Sequence, residues 1–313
     1  MFRAVTDEAK EFTTRSNRKV PHDISVVRRG SRPGKILHWL SGWKRALLRG
    51  KNNPTMNVIV CVKQIPDPAV PGALDGGTNT LKRDGKIVID ESDMYGVEMA
   101  LQLVDAAGGG EVSLVSMAPN NETSGLRTAL AMGAVKAVLV SDPALQGSDA
   151  LTTAKVLAGA VQRLGGADLV IAATESSDGY TGTVPEQLAE VLGLPSVTFA
   201  KKISIDGSTI KAERQTEAGY DEVTCPMPAV VSVTAGVVEP RYPSFKGIMA
   251  AKSKPVEEIT AGDLGLNPVG WAGAGQKISK VAEAEARQAG EIIEDDGEAF
   301  GKIVGFLENL KVI

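Results

Sequence analysis

Residues 167–195, ADLVIAATESSDGYTGTVPEQLAEVLGLP, decide how the rest of the chain is read. The stretch 168–173, apolar throughout after Asp168, reads as a strand buried on both faces. A stretch of hydroxyls and glycines over 174–183 follows, and then a helix with Pro185 in its first turn. A loop of this kind can gather backbone N–H groups and a positive helix end around a phosphate. No lysine or arginine lies between Asp168 and Pro195, so the expected phosphate ligands are amides and the hydroxyls of Ser176, Ser177, Thr181 and Thr183. Such a loop is suited to holding a nucleotide rather than breaking one.

Upstream, NVIVCVK at 57–63 has the β-branched composition of a first parallel strand. The Pro- and Gly-rich stretch 65–79 is a loop, and the Asp84-Gly85 pair predicts a tight hairpin between 81 and 89. Met94, Val97, Leu101 and Val104 mark one face of a helix that glycines 108–110 end. The unit then repeats: strand 111–117, helix 122–132 ended by Gly133, strand 137–141 and helix 150–164. The last helix has a stripe of Leu151, Ala154, Leu157, Val161 and Leu164 and is capped by Ser148 or Asp149. Strands alternating with helices predict an α/β fold, a doubly wound, Rossmann-like parallel sheet whose ligand crevice lies at the strands' carboxyl ends where the order reverses. The strands at 57–63 and 168–173 are expected to flank it. Beyond Pro195 the period becomes alternating, with a second Asp-Gly hairpin at Asp206-Gly207. The runs 220–225 and 229–234 are expected to continue an antiparallel extension.

Composition separates two parts of the 313-residue chain. Residues 1–55 carry 13 Lys and Arg against 4 Asp and Glu, so a basic head precedes an acidic body. Both histidines, His22 and His38, and two of three tryptophans, Trp39 and Trp43, lie in that head. It reads as a basic extension outside the fold. Translation from upstream of a true start at Met56 is preferred over an Arg-rich targeting segment or a basic arm for nucleic acid or membrane. No apolar run reaches membrane length, and two cysteines, Cys61 and Cys225, make no disulfide scaffold, which points to a reducing cytoplasm. Residues 56–313 contain no histidine, so the body has no His-based triad, no His-containing metal site and no imidazole acid–base. It also lacks a G-x-x-x-x-G-K-[ST] loop and a G-x-G-x-x-G after the first strand.

Four motifs in order, VIVCVKQIPD at 58–67, RTALAMGA at 127–134, DGYTG at 178–182 and EPRYPSFKGIM at 239–249, resemble the beta subunit of electron transfer flavoprotein, in its actinobacterial form. The resemblance runs from about residue 56 to the end. It implies a non-enzymatic electron-carrier subunit that pairs with an alpha subunit, helps to enclose FAD and buries an AMP without redox chemistry. It further implies docking of dehydrogenases, such as acyl-CoA dehydrogenases, whose electrons pass to a membrane quinone oxidoreductase. By position, the AMP site would comprise Cys61, Asp90, Glu91, Ser92, Asp93, Met117, Ala173, Thr174, Glu175, Ser176, Ser177, Asp178, Gly179, Tyr180, Thr181, Gly182, Thr183 and Val184. The family often reads Asn-Pro-Phe where this chain has Asp90-Glu91-Ser92, and often has an acidic residue at Tyr180.

Residues 240–255 mix Tyr242, Phe245, Ile248 and Met249 with lysines. The resemblance makes this a docking loop for partner dehydrogenases, anchored by Phe245; read alone it is a surface loop that tucks these side chains in. Residues 267–313 would form a C-terminal arm, with Trp271 in its linker and Phe300, Ile303, Leu307 and Leu310 striping a last helix for the alpha subunit, which leaves 56–266 as the nucleotide-binding domain. Lys63, at the end of the first strand, could face a phosphate or an acidic partner, with a solvated charge as the default; Asp178 is expected to serve a structural turn, and both cysteines to be inert. Other readings are a bifurcating flavoprotein subunit with a second FAD in place of AMP, an ATP-using adenylating enzyme, and a nucleotide-binding stress protein.

Overall fold

The computed structural model describes residues 55–282, 290 and 292–313; the basic head 1–54 lies outside the described residues. Two compact units are present, one ending at Lys277 and the other beginning, in its C-terminal part, at Ile278.

The larger unit is built on a nine-stranded sheet. In chain order its first strands are β1 (Met56–Cys61), β2 (Gln64–Pro66), β3 (Leu74–Asp75), β4 (Thr80–Leu81) and β5 (Ile87–Ile89), followed by helix α1 (Glu91–Ala106). Then come β6 (Gly110–Ala118), α2 (Ser124–Met132), β7 (Lys136–Ser141), α3 (Ala150–Arg163), β8 (Leu169–Ala173) and α4 (Val184–Leu192). The second half comprises β9 (Ser196–Asp206), β10 (Thr209–Thr216), β11 (Gly219–Pro226), β12 (Ala229–Val233), α5 (Phe245–Ala251), β13 (Val256–Ile259) and the short α6 (Gly270–Gly273). The sheet runs β11-β10-β9-β12-β8-β1-β6-β7-β13, parallel from β9 to β13 with β10 and β11 antiparallel at one edge.

From β1 the chain steps to β6 and β7 on one side, then returns to place β8 on the other, with Val58 opposite Leu169 and Val60 opposite Ile171. The order therefore reverses between the two strands expected to flank the crevice. One apolar cluster lies between the sheet and α1 and α2, joined by Val58, Val60, Val97, Leu101, Leu126 and Leu130. The other lies beneath α3 and α4, with Ile59, Val115, Leu157, Val161 and Leu188. Alternate residues of β1 feed opposite clusters, which is why its sequence shows no polar face.

Three expectations change. The Asp84-Gly85 bend does not join a hairpin: β4 pairs with β3, while β5 pairs with β2. β2 leaves the end of β1 already extended and takes β5 as its partner, with Gln64 opposite Ile89, so the local turn signal is overridden. The run 229–234 does not continue the antiparallel extension, because β12 is an interior parallel strand between β8 and β9. All five of its residues are buried, as an inner parallel strand requires. Leu151, expected on the buried stripe of α3, is exposed, whereas Ala154, Leu157 and Val161 are buried and Leu164 packs at the margin. Asp149, not Ser148, caps that helix by accepting the Thr152 N–H.

Residues 267–277, expected to open the C-terminal arm, stay on the larger unit. Trp271 donates its backbone N–H to the Gln146 carbonyl and lays its ring against Gly147, while the Gly275 N–H donates to the Asp149 carboxylate. The described part of the second unit carries helix α7 (Ala299–Asn309). No helix among the described residues is long and apolar enough to cross a membrane.

Candidate functional site

The carboxyl ends of β1, β6 and β8 bring the predicted nucleotide residues to one edge of the sheet. Cys61 ends β1, Met117 is the penultimate residue of β6, and Ala173 ends β8. Burial pushes the Cys61 thiol up, with the negative charge of Asp93 adding to it, so this cysteine stays an inert thiol at neutral pH. The 90–93 segment begins α1 between these strand ends. Asp90 is fully buried and is the N-cap of α1, accepting the Ser92 N–H on one carboxylate oxygen at 3.0 Å. Its other oxygen accepts the Ser177 N–H at 2.7 Å, 87 residues away. Asp93, also buried, accepts the Lys63 N–H at 2.6 Å. Burial, reinforced by the charge of Asp90, holds the Asp93 carboxyl well above the usual carboxylate range. Glu91 is exposed on the first turn of α1.

The loop itself is fastened by side chains from elsewhere in the chain. Thr174 donates both its N–H and its hydroxyl to the Val233 carbonyl at the end of β12. Asp178 receives Lys63 Nζ on one oxygen and Arg83 on the other, each at 2.5 Å, and Lys63 Nζ also donates to Ser176 Oγ at 3.0 Å. Burial alone would raise the Asp178 carboxyl, but the two cations outweigh it and hold it below the ordinary carboxylate range. The absence of basic residues from 168–195 therefore does not leave the loop without cations. Lys63, two residues past the end of β1, meets the acidic partner that was the alternative to a solvated charge, and Arg83, between β4 and β5 and not singled out at all, meets the same carboxylate. Asp178, expected in a structural turn, ties the loop to both cations.

Beyond Asp178 the loop opens outward. Gly179, Tyr180, Thr181, Thr183 and Glu175 are exposed, and Tyr180 and Gly182 both have positive φ, 48° and 66°. This left-handed pair turns the chain into the first turn of α4, where Thr183 caps without a side-chain bond and Val184 and Pro185 follow. Two acceptors on that turn, Glu186 Oε2 and Gln187 Oε1, are buried without a donor. Uncapped amides beside orphaned acceptors suit a ligand with an anionic group and hydroxyl or amino donors, the donor–acceptor set of a nucleotide.

The expected docking loop contains a helix. Ser244 caps α5 by accepting the Gly247 N–H at 3.0 Å, and Phe245, Ile248 and Met249 then fall at i, i+3 and i+4 on one face. Phe245 is 80% exposed and Tyr242, just before the helix, 89%, so the reading in which these side chains tuck inward does not hold. Arg241 locks the approach to this helix through Nε to Glu98 at 2.6 Å, with a further contact to Asp105. On α7, Phe300 and Ile303 are exposed and Leu307 is half-buried, and Leu310, which ends the helix as its C-cap, is exposed.

Comparison with known proteins places this geometry in context. The electron transfer flavoprotein domain family matches residues 78–264. The electron transfer flavoprotein subunit beta of Mycobacterium tuberculosis strain H37Rv is 42% identical over 264 residues, covering 82% of this chain and 99% of that protein. The same-named subunit of Clostridium acetobutylicum is 36% identical over 242 residues, covering 76% and 92%. The caffeyl-CoA reductase-Etf complex subunit CarD of Acetobacterium woodii is 32% identical over 263 residues, covering 82% and 100%. Membership of a family of electron carriers sets aside the adenylating enzyme and the stress protein. The chain belongs to the electron transfer flavoprotein family as a beta subunit, a carrier of electrons rather than an enzyme.

Proposed function

We propose that this chain pairs with an electron transfer flavoprotein alpha subunit in the cytoplasm, helps to enclose FAD, and holds one AMP at the carboxyl edge of β1 and β8. The observation that carries the AMP reading is the loop 174–183, pinned at Thr174, Ser177 and Asp178 and left open at the uncapped start of α4. FAD, when bound with the alpha subunit, supplies the redox chemistry. Toward the nucleotide, this chain's loop amides and hydroxyls bind the phosphate, and the Asp90 and Asp178 struts keep those donors aimed. The exposed apolar face of α7 supports its use as the arm that meets the alpha subunit, since large side chains such as Phe300 are otherwise left in water.

The exposed face of α5 docks dehydrogenases such as acyl-CoA dehydrogenases, with Phe245 as anchor, and the electrons go on to a membrane quinone oxidoreductase. A rigid apolar anchor grips locally and briefly, which suits a carrier that must leave again. Phe245→Ala is expected to slow reduction by the dehydrogenase while FAD content stays at the wild-type level; unchanged reduction kinetics would overturn the assignment.

A second reading, with a further FAD in place of AMP, draws on Lys63 and Arg83, two cations able to meet a diphosphate. Asp178 already engages both, which favours the monophosphate. Denaturing the purified heterodimer and quantifying the released nucleotides separates the two: AMP and FAD in equal amounts support the first, and two FAD without AMP support the second.

A further inference from the structure

The motif RTALAMGA at 127–134 lies in and just beyond α2, away from the nucleotide loop, and nothing so far gives it a task. We infer that the carboxyl end of α2 is the seat of the α5 docking element, with Arg127 and Lys254 as positioning residues that set which face of α5 meets a partner. The inference rests on the docking reading above for its functional consequence and on independent geometry for the seat.

The last carbonyls of a helix have no partners within it, and they attract cations. Here two short elements exchange cations across one joint. Arg127 of α2 donates through one guanidinium nitrogen to the carbonyls of Ala251, at 2.8 Å, and Lys254, at 2.7 Å, at the end of α5. Lys254, three residues past α5, returns the contact: its Nζ donates to the carbonyls of Leu130 and Ala134, each at 2.7 Å, at the end of α2. Each helix end is thus capped by a side chain borne on the other element. Burial lowers the affinity of the Lys254 amine for its proton, so this ammonium sits at a desolvation cost that the two carbonyls offset.

Gly247 makes the joint close. A Cβ there would collide with the Ala131 carbonyl oxygen, so α5 lies backbone against backbone on α2 along this line. Ala251 is buried on the same side. With residues 247 and 251 turned inward, helical geometry turns Phe245, Ile248 and Met249 outward. At the other end, Arg241 donates its backbone N–H, Nε and one terminal nitrogen to the Glu98 carboxylate. A seven-residue helix has no stability of its own in water. Its form and its facing therefore come from the seat. A partner that meets a preordered anchor is spared the cost of ordering it.

The test uses the heterodimer with its FAD. Amide hydrogen exchange over 245–251 is measured together with kcat and KM for reduction by a partner acyl-CoA dehydrogenase. Arg127→Met is expected to speed exchange across α5 by at least about tenfold, the factor that one lost charged hydrogen bond supplies. It should also raise KM by about tenfold, with kcat and FAD content unchanged, and Arg127→Lys should recover part of both losses. Should Arg127→Met not fold, Lys254→Met breaks the other half of the joint and carries the same expectations. Wild-type exchange in a folded variant overturns the seat, and faster exchange with an unchanged KM overturns its positioning role. Phe245→Ala separates the two ideas: if it leaves KM unchanged while Arg127→Met still speeds exchange, the docking reading fails and the seat stands.

Discussion

Replacing Asp90 should loosen the nucleotide loop and the start of α1 together, because one buried carboxylate serves both. Asp90→Ala removes the N-cap of α1, a loss of about 1 kcal/mol, and the carboxylate bond to the Ser177 N–H, about 1.5–3 kcal/mol. Against this, Asp90 repels the neighbouring Asp93, so its removal returns part of the cost. A net loss of about 2–3 kcal/mol follows, and for a domain of this size that lowers the thermal midpoint by roughly 5–10 °C. Asp90→Asn keeps one acceptor, so an amide oriented to cap Ser92 turns its NH2 toward the Ser177 N–H and gives an intermediate loss. The assay is calorimetry of the heterodimer at matched concentration, since a partner and ligands shift the midpoint by mass action, with hydrogen exchange followed at Ser177. The reasoning would be refuted by an Asp90→Ala midpoint within about 2 °C of wild type, or by a Ser177 amide that exchanges no faster.

The buried carboxylates have opposite pH signatures. Asp93 is held above its ordinary value, so the folded state binds more protons than the unfolded one between that value and the raised one, and stability falls as pH rises through this window. Asp93→Asn keeps an acceptor for the Lys63 N–H and removes the fall; denaturant midpoints for the variant should match or exceed wild type at pH 8, with the gap closing toward pH 4, and a gap of the reverse sign rejects the assignment. Glu98 is depressed: burial alone would raise it, but hydrogen bonds from Arg241 and Gln102 prevail. Its contribution is complete above the ordinary glutamate value and is lost as pH falls through the folded one. Glu98→Gln should therefore narrow its stability deficit on acidification, and a deficit that does not change with pH counts against the ion pair. On α7, Phe300→Asp is expected to lower the yield of heterodimer on co-purification with the alpha subunit, and an undiminished yield removes that helix from the interface.

The sheet was legible because its signal is local. The runs at 57–63 and 168–173 carry no polar alternation, and a strand covered on both faces needs none. AVVSV at 229–233 has the same property, but its position after the alternating runs that follow Pro195 suggested a continuing antiparallel extension. Only the pairing with β8 and β9 corrects this. The Asp84-Gly85 turn misled for the converse reason: a strong local preference yielded to a strand partner, β2, whose residues lie 21 or more positions upstream of those they pair with. Within 240–255, the Ser244 cap and the i, i+3, i+4 spacing of Phe245, Ile248 and Met249 were present in the sequence, and they identify a helix where a loop was expected.

Residues 167–195, taken alone, determined a strand, a loop of hydroxyls and glycines and a helix, because hydrophobic period, glycine placement and Pro185 act over a few neighbouring residues. Tertiary structure alone decided what holds that loop. Lys63 and Arg83 meet Asp178 across 115 and 95 residues of chain, and Asp90 meets Ser177 across 87. A charge has no period in sequence, and its partner is whichever group the folded chain brings within about 3 Å of it. The same holds for the joint of α2 and α5, where Arg127 and Lys254 read as surface cations until the fold sets each over the other's helix end.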